Sequence, residues 1–175
     1  TLHPDFPRTA YVYVYYTAPS SGGVDVHNRV SRFTVTGDVA SGEVVLVDLP
    51  PLGATNHNGG AIHFGLDGKL YVAVGDNANS ELAPLLTNVF GKMLRFNADG
   101  SIPSDNPFYS TQDGQNRAIW AYGLRNPFTF AIHPTSGRMH INDVGRGSWE
   151  EINLGGPGAD YGWPSTEGST PSDLV

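Results

Sequence analysis

The sequence predicts an all-β protein made of repeated units of the kind that form β-propeller blades. Short runs rich in β-branched and aromatic residues recur along the 175 residues, separated by Gly, Pro, Asn or Asp. The best helical pattern spans residues 80–93, and Pro84 and Gly91 interrupt it. The predicted strands are residues 10–18, 29–37, 42–50, 68–76, 91–100, 117–124, 128–134 and 137–145.

Three segments share one pattern, in which a His follows an apolar residue and a polar turn then leads into an alternating strand. They are "LHPDFPRTAYVYVYY", "IHFGLDGKLYVAVGD" and "IHPTSGRMHINDVG", and a second kind of strand follows each. The spacing predicts one partial propeller domain over residues 1–175, with repeats at roughly 1–50, 51–115 and 116–175. One irregular β-sandwich is the alternative interpretation.

Three blades do not close a ring, because propellers use about four to eight. Both ends of the sequence look cut inside a repeat, so we expect part of a larger propeller. The other blades would come from sequence outside this chain, or from a second copy in a homo-oligomer.

Composition narrows the classes of function. The net charge of −7 argues against nucleic-acid binding, which requires clustered Lys and Arg. The chain has no Cys, so disulfides and thiolate metal sites are excluded. No apolar run approaches the roughly 20 residues that span a bilayer. The chain starts at "TLHPDFP" with no signal peptide, as a mature or trimmed secreted protein also would.

The first candidate for chemistry is His57, within "NHNGG" at residues 56–60. Glycines permit a positive φ or a close approach of the backbone to a ligand. An imidazole can accept a proton near neutral pH, so His57 is a candidate general base. The structural alternative is a turn histidine that is hydrogen-bonded to a neighbouring carbonyl.

The second candidate is the pair Arg125 and Asn126, which precedes Pro127 and a strand. Arg presents a fork of donors that suits a carboxylate or a quinone oxygen. The repeat pattern places His57 and Arg125 at equivalent positions of successive blades, so both are predicted to face one central funnel. An ion pair between Arg125 and a loop carboxylate is the alternative.

The third candidate is the glycine-rich segment 141–164, which contains Asp143, Glu150, Glu151 and Asp160. Carboxylates and backbone carbonyls in irregular loops are ligands that Ca²⁺ takes, although no EF-hand pattern is present. The loop of residues 75–84, with Asp76, is a second polar loop of this type. The sequence shows no GxGxxG, Walker, GxSxG or HExxH pattern, which argues against nucleotide-dependent chemistry.

Taken together, "HPDF…AYVYVYYT", "NHNGGAIHFGLDGKLYVAVGD", "GKMLRFNADGSIPSDNPF", "YGLRNPF" and "WEEINLGGPGADYGWP" resemble the glucose/sorbosone dehydrogenase family. These are soluble quinoproteins that oxidise aldoses with pyrroloquinoline quinone (PQQ). The resemblance implies a six-bladed β-propeller of which this chain covers about half. It also implies a periplasmic or secreted location, a small-molecule sugar substrate and an external electron acceptor.

The resemblance also implies roles for particular residues. His57 matches the base that takes the proton of the anomeric hydroxyl, while hydride passes to PQQ. Arg125, with Asn126 beside it, matches the arginine that polarises a quinone oxygen. Glu151 and the backbone of Tyr161 match a calcium site, and the carbonyls of Gly145 and Arg146 match the ligands of a cofactor-bound calcium.

Three functions remain open from the sequence. The first is PQQ- and Ca²⁺-dependent oxidation of aldoses to lactones, and pairing His57 with Arg125 favours it. The second is a non-catalytic propeller that binds a ligand or a protein. The third is a calcium-dependent hydrolase such as a lactonase, which would bring several Asp, Asn or Glu side chains onto a central metal.

Overall fold

The computed structural model describes residues 1–168 and confirms the all-β prediction. The strands are Tyr11–Ala18 (β1), His27–Thr36 (β2), Val39–Pro51 (β3), Ile62–Phe64 (β4), Leu70–Val74 (β5), Lys92–Phe96 (β6), Ile119–Tyr122 (β7), Pro127–Ile132 (β8), Met139–Asp143 (β9) and Glu151–Leu154 (β10). The predicted helical pattern at 80–93 yields only a 3₁₀ turn, Ser80–Leu82, and a second such turn spans Gly114–Ala118. In the described part of the chain, no helix has the length and apolar character to cross a membrane.

Each of the three sheets is built from strands that are consecutive in the sequence. The first contains β1–β3, the second β4–β7 and the third β8–β10, and neighbouring strands are antiparallel. Strand β7 lies in the second sheet, where Ala121 pairs with Met93, whereas the sequence repeats place it at the start of the third unit. Its pairing with β6 occupies an edge that would otherwise be open.

The second sheet is buried on both faces, which explains the nearly continuous apolar runs of its strands. Within β5, Leu70, Val72 and Val74 pack in the core shared with the first sheet, while Tyr71 and Ala73 pack in the core shared with the third. Side chains alternate between the two faces of a strand, so a strand covered on both sides, such as β5, favours apolar residues at every position. Full burial of one such aliphatic side chain contributes about 1.5–3 kcal/mol.

Two histidines of the repeat pattern, His63 and His3, contact aromatic rings of a neighbouring sheet, whereas His133 is exposed and accepts hydrogen bonds from the backbone of its own turn. His63 lies edge-on to Phe130 of the third sheet, with ring centroids 4.9 Å apart, and His3 lies edge-on to Phe64 at 5.8 Å. Partial desolvation lowers the pKa of His63, which favours its neutral form.

One edge of the second and third sheets collects the candidate site residues. Strands β5 and β7 each pair with β6 in the antiparallel direction. They therefore run parallel to each other and end at the same edge of the sheet. Asp76 therefore lies beside Arg125, and its N–H donates to the Arg125 carbonyl at 2.8 Å. Strand β9 ends where β8 begins, which brings Asp143 to Asn126.

Candidate active site

The turn that holds His57 has an unusual backbone conformation. His57 has φ 53°, and Asn77 and Ala78 have φ 55° and 57°. Within residues 1–168 these are the non-glycine residues with positive φ, and the Asn77 N–H donates to the His57 carbonyl at 3.2 Å. Such conformations cost energy and concentrate at functional sites, so their clustering here identifies a candidate site.

The glycines of this region let the turn pack backbone to backbone against the end of β5. A Cβ on Gly59, where φ is +64°, would lie 2.4 Å from the carbonyl oxygen of Ala73. A Cβ on Gly75 would lie 2.1 Å from the carbonyl oxygen of His57. Close packing and a positive φ therefore account for these glycines without an appeal to a ligand.

The imidazole of His57 is held by a buried carboxylate. Nδ1 lies 2.7 Å from Oδ1 of Asp76, whose side chain is 2 % exposed. A carboxylate only accepts hydrogen bonds, so Nδ1 carries the hydrogen and Nε2 of the neutral ring keeps its lone pair. Oδ1 also accepts from the Ala78 N–H at 2.9 Å, and Oδ2 accepts from the indole N–H of Trp163 at 2.9 Å.

Arg125 lies next to this group and is anchored by carbonyl oxygens. One terminal nitrogen donates to the carbonyls of Val144 and Gly145, at 2.9 and 3.0 Å. Its guanidinium carbon lies 5.5 Å from the ring centroid of Trp163, over the indole face. Within residues 1–168, Nε and the other terminal nitrogen of Arg125 make no hydrogen bond and Arg125 forms no ion pair, so these donors have no protein partner there.

Asp143 holds the backbone ahead of β8. Its Oδ1 accepts from the Asn126 N–H at 2.6 Å and its Oδ2 from the Arg125 N–H at 2.9 Å. Burial raises the pKa of Asp143 to about 6, and the two backbone donors oppose that rise. The Asn126 side chain in turn accepts from the Gly59 N–H at 3.3 Å, which joins this segment to the histidine turn.

One shallow open depression brings several of these side chains together. His57, Asp76, Ser80, Arg125, Arg146 and Trp163 line it. It therefore combines an imidazole, two guanidinium groups and an indole. Of the residues named from the sequence, it contains His57, Asp76, Arg125 and Arg146, whereas the Asn126 side chain bonds the Gly59 N–H.

The remaining predicted metal residues lie in the loops beyond β9. Glu151 accepts from the Gly168 N–H and from the Asn153 side chain, and the Tyr161 hydroxyl donates to the Leu154 carbonyl at 2.9 Å. The Gly145 carbonyl accepts from Arg125. In the described residues, no three His, Asp or Glu side chains gather as a metal-binding cluster.

The loop carboxylates selected as possible cation ligands mostly bind backbone N–H groups. Glu150 accepts from Gly145 at 3.2 Å and Asp160 from Gly162 at 3.0 Å. No sequence pattern selected Trp163, and none predicted that Asp76 holds His57 or that Asp143 holds the backbone of Arg125. The available signal was their position, since Asp76 and Asp143 each stand at the end of a strand that reaches this edge.

Comparisons with known proteins identify the family of the chain. The family model for glucose/sorbosone dehydrogenase matches residues 1–173. The aldose sugar dehydrogenase YliI of Escherichia coli is 33 % identical over 166 residues, covering 93 % of this chain and 44 % of that protein. The PQQ-bound aldose sugar dehydrogenase from Streptomyces coelicolor is 30 % identical with a TM-score of 0.81, covering 95 % of this chain and 47 % of that structure.

A further relative carries a different kind of name. The Hedgehog-interacting protein of Mus musculus is 31 % identical over 164 residues, covering 81 % of this chain and 23 % of that protein. The chain spans about half the length, or less, of the relatives that it matches.

The three successive sheets and these likenesses define a β-propeller of the quinoprotein dehydrogenase type, of which this chain forms roughly three blades. The chain belongs to the glucose/sorbosone dehydrogenase family.

Proposed function

We propose that this chain carries the base and one part of the cofactor site of a PQQ-dependent aldose dehydrogenase, which oxidises sugars to lactones. The observation that carries the proposal is the single depression lined by His57, Arg125 and Trp163, in a chain of this family. Relatives named as aldose sugar dehydrogenases, one of them PQQ-bound, support the substrate class and the cofactor.

The chemistry of the lining residues fits PQQ, which is a planar quinone with three carboxylates. Arg125 and Arg146 supply positive charge, and guanidinium groups suit carboxylates and carbonyl oxygens. The indole of Trp163 adds an aromatic side chain to the lining of the depression. Arg125 is fixed by the carbonyls of Val144 and Gly145, so its remaining donors are already oriented before a ligand arrives.

His57 would act as the general base of the reaction. Bound PQQ would supply a quinone that accepts the hydride from C1 of the sugar. Nε2 of His57 takes the proton of the anomeric hydroxyl, so C1 becomes the carbonyl carbon of the lactone. Asp76 then faces an imidazolium, and its buried charge stabilises the proton that Nε2 has accepted. Arg125 would stabilise negative charge that develops on the quinone oxygen.

Calcium forms part of the same proposal. The carbonyls of Tyr161 and Arg146 accept no hydrogen bond within residues 1–168, so both remain available to a hard cation. Glu151 and the Tyr161 carbonyl would hold one Ca²⁺. The Gly145 carbonyl has a second lone pair besides the one that Arg125 uses. The carbonyls of Gly145 and Arg146 would hold a second Ca²⁺, which complements the carboxylates of the cofactor.

The test is dye-linked oxidation of aldoses by the chain after incubation with PQQ, with and without Ca²⁺. We expect His57→Ala to lower kcat about 100-fold or more while the Kd for PQQ, measured by fluorescence quenching, stays within about twofold. His140→Ala is the matched control, because His140 is exposed on β9 away from the depression. Turnover that survives in His57→Ala would refute the base assignment.

A non-catalytic binding module is the second candidate, and the similarity to Hedgehog-interacting protein favours it. In that case the depression would be a remnant of the family architecture. Absence of PQQ quenching in the wild-type chain would support this candidate over the first.

The proposed enzyme would work in the periplasm or outside the cell and pass electrons to an external acceptor, as the family resemblance implies. The outward side chains of the third sheet agree with a packed neighbour, since Phe128, Ile152 and Leu154 are 64, 75 and 60 % exposed. Further blades, or a second copy of the chain, would cover them in the complete ring.

A further inference from the structure

We propose that Trp163 is a positioning residue that joins the His57–Asp76 pair to Arg125. One side chain would then set both the orientation of the base and the orientation of the cofactor arginine. The catalytic consequence of this inference rests on the proposed function, whereas the coupling itself is a property of the folded chain.

The first contact of Trp163 is with the carboxylate behind the base. Its indole N–H donates to Oδ2 of Asp76 at 2.9 Å, and both groups are buried. Asp76 uses its other oxygen for His57 and for the Ala78 N–H. Hydrogen bonds to both oxygens fix the plane of the carboxylate, and this plane fixes the direction in which the imidazole points.

The second contact is with the arginine. The guanidinium of Arg125 lies over the indole face, 5.5 Å from the ring centroid, where the π-system attracts a cation. Trp163 is itself anchored by its backbone, since its N–H donates to the Gly123 carbonyl at 3.0 Å. Gly123 precedes Arg125 by two residues, so the segment that carries Arg125 also anchors the backbone of Trp163.

The surroundings of Trp163 differ from those of an ordinary core tryptophan. Trp163 and Trp120 are equally buried, with 8 % of each residue exposed. Trp120 lies in the apolar core with its ring edge-on to Tyr71, whereas Trp163 belongs to neither apolar cluster of the described residues. The specific contacts of Trp163 are a carboxylate and a guanidinium, which are the groups that a positioning residue would touch.

The decisive experiment is NMR of the chain labelled with ¹⁵N-histidine, in the absence of PQQ and sugar. The Nδ1–H resonance of His57 should lie downfield in the wild type and disappear from that position in Asp76→Asn. In Trp163→Phe we expect it to move further downfield, because Asp76 no longer shares its charge with the indole. Trp120→Phe is the matched control and should leave the resonance in place, with thermal unfolding confirming that both variants fold.

Kinetics add a second readout. Trp163→Phe should lower kcat about tenfold, as expected for loss of one hydrogen bond to a charged group, with the Kd for PQQ within about twofold. Trp163→Leu also removes the aromatic face and should raise that Kd about fivefold. In the Asp76→Asn background, Trp163→Phe should have no further effect on kcat, because its route to the base is already broken.

The coupling is refuted if the His57 resonance does not move in Trp163→Phe, or moves equally in Trp120→Phe. A shifted resonance in a chain that does not bind PQQ would support the coupling and count against the proposed function. Normal turnover with an unmoved resonance would support the proposed function and refute the coupling.

Discussion

A lysine in β6 lies in the interior of the molecule, and its ionisation should leave a clear trace in stability. Lys92 has no exposed surface, and its ammonium donates to the carbonyls of Leu82, Ala83 and Phe90 at 3.1, 2.7 and 2.6 Å. Those carbonyls belong to the segment that follows Ser80, and Ser80 itself lines the depression. Burial lowers the pKa of Lys92 from 10.5 to about 7, an effect that Asp160 opposes.

The sign and size of the pH effect follow from linkage. Between about pH 7 and pH 10.5 the unfolded chain keeps a proton at Lys92 that the folded chain has lost. The unfolded state binds more protons there, so the free energy of unfolding rises with pH. One full proton corresponds to about 1.4 kcal/mol per pH unit, so the Lys92 contribution should rise by about 3 kcal/mol between pH 7.5 and 9.5.

The assay is urea-induced unfolding of the wild type and of Lys92→Met at several pH values from 6 to 10. The difference in unfolding free energy between the two should change in favour of the wild type across this range. Lys69→Met is the control, because Lys69 is partly exposed and its ammonium binds the Asn97 side chain. A difference that stays flat from pH 7 to pH 10 would refute the account of a desolvated lysine.

Two other substitutions test how the site is built. Asp143→Asn loses one of the two acceptors that hold the backbone N–H groups ahead of β8, so Arg125 should be less well oriented. The Kd for PQQ should then rise about tenfold in a fluorescence titration. An unchanged affinity would contradict this role of Asp143. Gly59→Ala places a Cβ 2.4 Å from the Ala73 carbonyl oxygen and should lower the unfolding free energy by about 3 kcal/mol, measured by urea unfolding. Gly42→Ala is the control, because Gly42 has a similar φ and open space, and it should lower the unfolding free energy by about 1 kcal/mol. Equal losses in the two variants would mean that the clash at Gly59 is relieved.

The fold class was predictable because its signals are local. Alternation of period two, as in residues 10–18 and 68–76, and the turn residues between the runs define strands within a few positions. The assignment of β7 needed long-range information, since Ile119–Tyr122 pairs with β6 across the loop of residues 97–118. No pattern within the strand itself shows which neighbour it joins.

The candidate site divides in the same way. His57 and Arg125 stood out because an imidazole beside two glycines and an Arg-Asn-Pro run are visible in a short window. The indole N–H of Trp163 donates a hydrogen bond to Asp76, which lies 87 residues earlier in the sequence, and no local pattern predicts such a contact. Asp143 was visible, but a carboxylate that holds backbone N–H groups and one that binds a cation look alike until the partners are known.

The two buried carboxylates explain why this site needs two adjacent sheets. Asp76 follows β5 of the second sheet and holds the base, while Asp143 ends β9 of the third sheet and holds the backbone of Arg125. The backbones of these two segments are joined because the Asp76 N–H donates to the Arg125 carbonyl. Trp163 contacts the side chains of both Asp76 and Arg125. The distance between base and arginine is therefore set at the contact between these sheets, and both sheets lie within this chain. It follows that His57 should be oriented in the chain by itself, whereas enclosure of a sugar against a flat cofactor requires walls that the open depression does not provide.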